Sequence, residues 1–294
     1  MNHSFFIDGR TRLAGLLGSP VAHSLSPAMH NTAFQLLGLN CVYLCFDVPE
    51  DDLPAAVEGL RRLHVLGFNL TMPDKNRMAA LTDRLSPAAA LIGAVNTVVN
   101  EDGTLTGHNT DGAGFLRSAA EAGWTASGQT LTILGAGGAA SAIAAQAALD
   151  GASSLVIAAR PASRFHARTE ALVRNICDNT ACRASLIDLE DTAALGDAIS
   201  ASSLLVNATP VGMEPDTEQS LIRDMSLFHE GLTVSDIIYS PARTKLLRQA
   251  AEAGCTTFNG MYMLLYQGAE AFRLWTGRDM PVEEIRQRYF SAKR

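Results

Sequence analysis

Short apolar runs alternate with helical patterns along the first third of the chain. "RLAGLLG" (12–18) precedes helical spacing over 27–38, "CVYLCFDV" (41–48) precedes 51–63, and "LGFNLT" (66–71) precedes 75–92. Apolar runs of this length between amphipathic stretches predict a mainly parallel sheet covered by helices. "AVNTVVNEDGTLTGHN" (94–109) breaks the rhythm. Its two strand-like runs flank Glu101-Asp102-Gly103, which predicts a hairpin closing the first unit. A second alternating series follows, with "TLTILG", "SLVIAA", "SLLVNAT" and "TVSDIIY" as strands. The expectation is two α/β domains, one over 1–110 and one over 111–258. The long helical stretch from 259 to 294 has no strand after it and is expected to return to the first domain.

Composition narrows the function classes. A chain of 294 residues with 47% hydrophobic residues can bury two ordinary cores and is not disordered. Lysine and arginine number 23 against 30 acidic residues, a net charge of −7, and no basic run exceeds Arg61-Arg62. That balance argues against nucleic acid as a partner. The start "MNHSFFIDGR" lacks the apolar region of a secretory signal, so a cytoplasmic location is expected. No charge lies between Trp124 and Leu149, but the glycines and alanines there keep it only weakly hydrophobic. It reads as a buried strand and helix, not as a membrane span. Five cysteines without a C-x-x-C pair read as reduced structural thiols, and no histidine spacing suggests a metal site.

Three stretches carry candidate chemistry. In "TLTILGAGGAASAIAAQAAL", Gly135, Gly137 and Ala140 fit the G-x-G-x-x-A dinucleotide fingerprint between a strand and an alanine-rich helix. Glycines there permit a tight turn and let backbone N–H groups approach a pyrophosphate at a helix N-terminus. At the next strand end an NAD-preferring site usually carries an acid for the ribose. This chain has Arg160 and Arg164 and no carboxylate there, which favours NADP, with NAD or both as the alternative. "NLTMPDK" puts Asn69, Thr71 and Lys75 beyond a strand, and "GHNTDGAG" puts Asn109 and Asp111 at a helix start. Open α/β sheets bind ligands outside the carboxyl ends of their strands. In "VAHSLSPAMHN", Ser26 reads as a helix N-cap with Pro27 as the first helical residue, which leaves Ser24 unexplained.

With "SLSP", "GAVNT", "NATPVGM", "YSPARTKLL" and "GMYMLLYQGAEAFRLWTG" added, the chain resembles the shikimate dehydrogenase family, most closely its quinate/shikimate branch. The resemblance implies an NAD(P)-dependent oxidoreductase of aromatic amino acid biosynthesis that interconverts shikimate and 3-dehydroshikimate, with quinate and 3-dehydroquinate as the other pair. It gives Ser24 and Ser26 the substrate carboxylate, and Asn69, Thr71, Asn96, Asp111 and Gln267 the ring hydroxyls, with Tyr239 nearby. Lys75 and Asp111 become the catalytic pair, and the resemblance makes 1–110 an α/β substrate domain with a mainly parallel sheet and 111–258 a Rossmann-type dinucleotide-binding domain. Gly135, Ala136, Gly137, Gly138 and Ala139 hold the cofactor, with Asn207, Ala208, Thr209, Gly260 and Met263 lining it and Arg160 and Arg164 at its ribose. The partner implied is a cyclic hydroxy acid, the cofactor NADP or NAD, the metal none, and the assembly a monomer or homodimer. Alternatives are a dehydrogenase of an amino-substituted shikimate analogue and a catalytically silent NADP-binding regulator. Many NADP-using members carry Asn-Arg-Thr after the second cofactor strand, where this chain has Ala159-Arg160-Pro161.

Overall fold

In the computed structural model, which describes residues 7–71 and 74–290, "RLAGLLG" forms β1 (Arg12–Gly18) with its last five residues buried. A strand buried on both faces needs parallel neighbours covered by helices. β2 (Cys41–Asp47) and β3 (Gly67–Leu70) supply them on either side. The connections are α1 (Ser26–Leu36) and α2 (Leu53–Arg62).

The single helix expected over 75–92 is four pieces: α3 (Lys75–Met78), a 3₁₀ turn at Ala79–Leu81, β4 (Arg84–Leu85) and α4 (Pro87–Ile92). Two side chains account for the breaks. The Asp83 carboxylate accepts from the Leu105 N–H at 2.7 Å and from Arg61 at 2.6 Å, which draws the chain alongside the sheet. Ser86 then caps α4, and Pro87 suits a first helical turn but cannot continue an earlier one.

β5 (Thr97–Glu101) and β6 (Thr104–His108) form the expected hairpin, and the left-handed φ values of Asp102 (51°) and Gly103 (90°) fit its two-residue turn. The sheet order is β2-β1-β3-β5-β6-β4, parallel except where β5 meets β3 and β6.

The second sheet is parallel throughout, in the order β12-β11-β10-β7-β8-β9. Its first half runs α5 (Asp111–Glu121), β7 (Thr130–Leu134), α6 (Gly138–Leu149), β8 (Ser154–Ala159), α7 (His166–Asn179) and β9 (Arg183–Asp188). The second half runs α8 (Thr192–Ser200), β10 (Leu204–Asn207), β11 (Thr233–Asp236), α9 (Lys245–Glu252) and β12 (Thr256–Asn259). The apolar pattern finds β7, β8, β10 and β11, which are mostly buried. It misses β9 and β12, edge strands with no fully buried residue. Chain order reverses between β7 and β10, the place where doubly wound sheets open a ligand crevice.

The chain divides into two compact units, Met1–Thr110 with Leu265–Arg294, and Asp111–Leu264. The division falls inside α10 (Met261–Thr276), six residues past the sequence-based boundary, because β12 pairs with β11 and keeps the start of the helix with the second sheet. From Leu265 the chain packs into the first unit. The Trp275 indole N–H donates to the Val98 carbonyl at 2.9 Å, and Tyr289 of α11 (Val282–Tyr289) bonds Thr32 at 2.8 Å. Gly67 has no room for a Cβ because that indole lies against it.

Candidate active site

In the first unit the polar residues gather beyond β3 and at the start of β5. α1 begins at Ser26, with Leu25 in the capping position and no side-chain cap. Ser26 is therefore not the N-cap: it lies inside the first turn, and the Ser24 hydroxyl accepts the Ser26 N–H at 3.2 Å. Both serines are half-buried. The Ser26 hydroxyl works on the Tyr43 phenol, opposing the burial that pushes that phenol well above its usual pKa. Tyr43 thus stays protonated and able to donate.

Asn69 on β3 faces Thr97 on β5 across an antiparallel pair, so their side chains share a face. Five buried side chains form one hydrogen-bonded chain from there. The Tyr43 hydroxyl donates to Asn69 Oδ1 at 2.8 Å, and Asn69 Nδ2 donates to Thr97 Oγ1 at 2.9 Å and to the Asn96 carbonyl at 3.2 Å. Thr97 Oγ1 donates to Asn96 Oδ1 at 2.9 Å, and Asn96 Nδ2 donates to Thr110 Oγ1 at 3.0 Å. The Thr110 N–H closes the chain onto Asn96 Oδ1 at 2.8 Å. All of these groups are neutral, so no charge is desolvated. Thr71 and Lys75 are half-buried past the end of β3, and Gln267 is half-buried on α10. Asp111 opens α5 as the first residue of the second unit, next in the chain to Thr110.

In the second unit the crevice residues meet at the β7–β10 reversal. Gly135 has φ +112°, and a Cβ there would lie 2.8 Å from Thr209 Cγ2 and 2.9 Å from the Ala208 carbonyl. Only glycine fits that turn. Around Gly137 and Gly138 the space is open to 4 Å, and α6 begins there with no side-chain cap. Ala136 and Ala139 flank these glycines, half-buried. A helix N-terminus uncapped by side chains and fronted by open glycines fits a pyrophosphate.

Asn207 Oδ1 accepts from the Thr209 N–H at 3.1 Å and the Thr209 hydroxyl at 2.6 Å. Its Nδ2 donates to the Val211 carbonyl and to Asp236 Oδ2, both at 3.1 Å. Asp236 also accepts from Thr244 at 2.8 Å and from the Ile238 N–H at 3.0 Å. Burial raises its pKa, opposed by these three hydrogen bonds. The Gly260 backbone lies against Ile237, leaving no space for a Cβ, and its carbonyl accepts the Met263 N–H at 3.2 Å. Tyr239 is exposed in the loop after β11. Arg160 is exposed at the end of β8, and Arg164 stacks over the Phe165 ring at 4.7 Å.

Similarity to known proteins runs along nearly the whole chain. Residues 16–98 match the shikimate dehydrogenase substrate binding domain, and residues 260–288 the shikimate 5'-dehydrogenase C-terminal domain. A shikimate dehydrogenase (NADP(+)) of Listeria monocytogenes is 48% identical over 284 residues, 97% of each chain. A quinate/shikimate dehydrogenase of Escherichia coli is 44% identical over 281 residues, 96% of this chain and 97% of the relative. The chain belongs to the shikimate dehydrogenase family. The crystal structure of the Listeria monocytogenes shikimate 5-dehydrogenase in complex with shikimate and NAD superposes with a TM-score of 0.92 at 48% identity, covering 96% of this chain and 97% of that one. As a shikimate dehydrogenase family member the chain is an oxidoreductase with a mostly parallel α/β fold.

Sequence reasoning misses Tyr43, Thr97, Thr110, Asp236 and Thr244 of this family member's polar clusters. Tyr43 falls inside the strand-like run "CVYLCFDV" and Asp236 in the middle of "TVSDIIY". The available signal is polarity in otherwise apolar strands: Thr97 opens β5 at 0% exposure, and Asp236 ends β11 at 0%. A buried polar side chain requires partners, and those partners define the cluster. Among the described residues no group of histidine, cysteine or acidic side chains could hold a metal, and no helix is long and apolar enough to cross a membrane.

Proposed function

We propose that the chain catalyses reversible hydride transfer between a nicotinamide cofactor, NADP or NAD, and the hydroxyl-bearing ring carbon of shikimate, with quinate as a second substrate. The observation that carries this reading is the neutral chain Tyr43–Asn69–Thr97–Asn96–Thr110. Its oriented amides and hydroxyls suit a ligand with several hydroxyls and no charge on that face.

Ser24 and Ser26 take the carboxylate by hydroxyl donation. Asn69, Thr71, Asn96 and Gln267 orient the ring. Both Asn69 amide hydrogens are already committed to Thr97 and Asn96, so Asn69 serves the substrate through Oδ1, as an acceptor. Lys75 exchanges the proton of the reacting hydroxyl, and Asp111 orients Lys75 and a neighbouring hydroxyl. Thr110 is held by Asn96 and is bonded covalently to Asp111, so the same network that orients the ring anchors the residue before the carboxylate.

The N-terminus of α6 with Gly135–Ala139 would hold the cofactor pyrophosphate, and Thr209, Gly260 and Met263 would line the nicotinamide. When bound, the nicotinamide supplies the hydride acceptor or donor, and the protein's part is positioning and proton transfer. Arg160, exposed just past the end of β8, would meet a 2′-phosphate, which favours NADP.

Purified protein assayed with shikimate and quinate against both cofactors tests this directly. Shikimate turnover is expected, with Lys75→Ala and Asp111→Asn each lowering kcat by about a hundredfold or more. Cofactor binding without turnover of either acid would point to the silent regulator instead.

A further inference from the structure

We infer that Thr97 is the positioning residue that couples the two amides, Asn69 and Asn96, whose substrate-facing ends are assigned by backbone groups, an inference that rests on the function proposed above. Two backbone groups fix the direction of the network. The Asn96 carbonyl can only accept, so the Asn69 atom 3.2 Å from it is the amide nitrogen, and Asn69 Oδ1 faces the Tyr43 hydroxyl. The Thr110 N–H can only donate, so the Asn96 atom 2.8 Å from it is the carbonyl oxygen.

Thr97 lies between those two fixed amides. Its Oγ1 accepts from Asn69 Nδ2 at 2.9 Å, donates to Asn96 Oδ1 at 2.9 Å, and lies 3.2 Å from Thr110 Oγ1, which can donate to it. One hydroxyl therefore meets a donor on one side and an acceptor on the other. A hydroxyl is the smallest group able to do both. Thr97 is fully buried, and its place opposite Asn69 in the strand pair fixes the reach. The remaining surface of both amides is thereby assigned before substrate arrives, which is preorganisation of a binding site.

Thr97→Val keeps the shape and removes the hydroxyl, whereas Thr97→Ser keeps the hydroxyl. Thr97→Val is expected to lower kcat/KM for the cyclic acid by about tenfold or more, because a buried Asn69 N–H loses its acceptor. The KM for the cofactor should stay within about twofold, because the network lies wholly in the first unit. Thr97→Ser should recover most of the loss. A Thr97→Val protein that melts earlier but keeps the parent's kcat/KM per folded molecule would show Thr97 to be structural only and overturn the inference. So would a Thr97→Ser protein that folds as the parent does yet loses as much as Thr97→Val. The parent's own turnover is the separate check on the function: a parent inactive on both acids defeats that reading and this role with it, whereas an active parent with an unaffected Thr97→Val defeats the role alone.

Discussion

In the first unit the strand ends carry neutral side chains bonded to one another, whereas in the second a glycine turn leads into the uncapped start of α6, and Asn207, Thr244 and one backbone N–H hold a buried carboxylate, Asp236. The contrast follows from what each would bind. A small ring with several hydroxyls needs donors and acceptors in a set order, and only side chains can provide that order at close range. A pyrophosphate needs many N–H groups close together, and a side chain there would only stand in the way. Mutation should therefore act differently on the two. In the first unit, deleting a hydroxyl removes function at nearly constant shape; in the second, adding a methyl removes function without removing any polar group.

The largest effect expected from breaking this comparison is at Gly135. A Cβ there meets Thr209 Cγ2 at 2.8 Å and the Ala208 carbonyl at 2.9 Å, and the φ of +112° is one that residues other than glycine rarely adopt. Gly135→Ala should weaken cofactor binding by about a hundredfold, since strain and steric displacement together cost several kcal/mol. Titration calorimetry with NADP and separately with shikimate distinguishes the units. Shikimate affinity should hold within about threefold, as expected for sites that share no partners. Equal loss of both ligands would show that the two units are not separable in this way.

The same contrast explains what can be read in the sequence. Gly135, Gly137 and Ala140 are legible because backbone chemistry leaves a compositional trace at fixed spacing. Strands β7, β8, β10 and β11 are legible because burial on both faces makes an apolar run. β9 and β12 lie at sheet edges, where half-exposure mixes polar residues into the pattern. The breaks in 75–92 are hidden because Asp83 acts through Leu105 and Arg61, which are distant in sequence. Thr97 and Asp236 are hidden for a similar reason. A threonine or aspartate in a strand says nothing of its partners until the register is known, and Ser26 resembles an N-cap because helix starts shift by a residue or two.

Asp236→Asn should have an intermediate effect. Asn207 is fixed with Nδ2 toward Asp236 because its Oδ1 holds the Thr209 N–H. The substituted amide would then set a second amide nitrogen against that donor or against the Ile238 N–H. The cost is about 1 to 3 kcal/mol, the range for an unsatisfied buried polar group, and it should appear as a lower Tm and a higher KM for the cofactor. The pH dependence gives a second signature. Burial raises the pKa of Asp236 above the ordinary 3.8, so the folded protein binds this proton more tightly than the unfolded chain. The resulting stability is fully present below the unfolded pKa and is lost as pH rises through the folded one. Tm measured from pH 4 upward should therefore carry a declining contribution in the parent that Asp236→Asn lacks. Parallel curves for the two proteins would show that the carboxylate titrates no differently in the fold.

The smallest effect expected is at Arg160, where the second unit departs from its rule and relies on a side chain. Arg160 is exposed at the end of β8, its carbonyl accepts the Ser163 N–H at 2.9 Å, and Pro161 fixes the backbone immediately after it. Arg164, four residues on, already stacks on Phe165, so Arg160 is the better placed of the two for a 2′-phosphate. β8 itself ends without a carboxylate, Asp188 of β9 pairs beside Ala159, and NAD would leave the guanidinium solvated at little cost. Arg160→Ala should thus raise the KM for NADP by about tenfold, equivalent to about 1.4 kcal/mol, while the KM for NAD hardly moves. The measurement is kcat/KM for both cofactors in parent and variant. A parent that prefers NAD by tenfold or more, with no selective loss in the variant, would remove Arg160 from the cofactor site. The second unit's hold on the phosphates would then rest on the glycine turn and the N-terminus of α6.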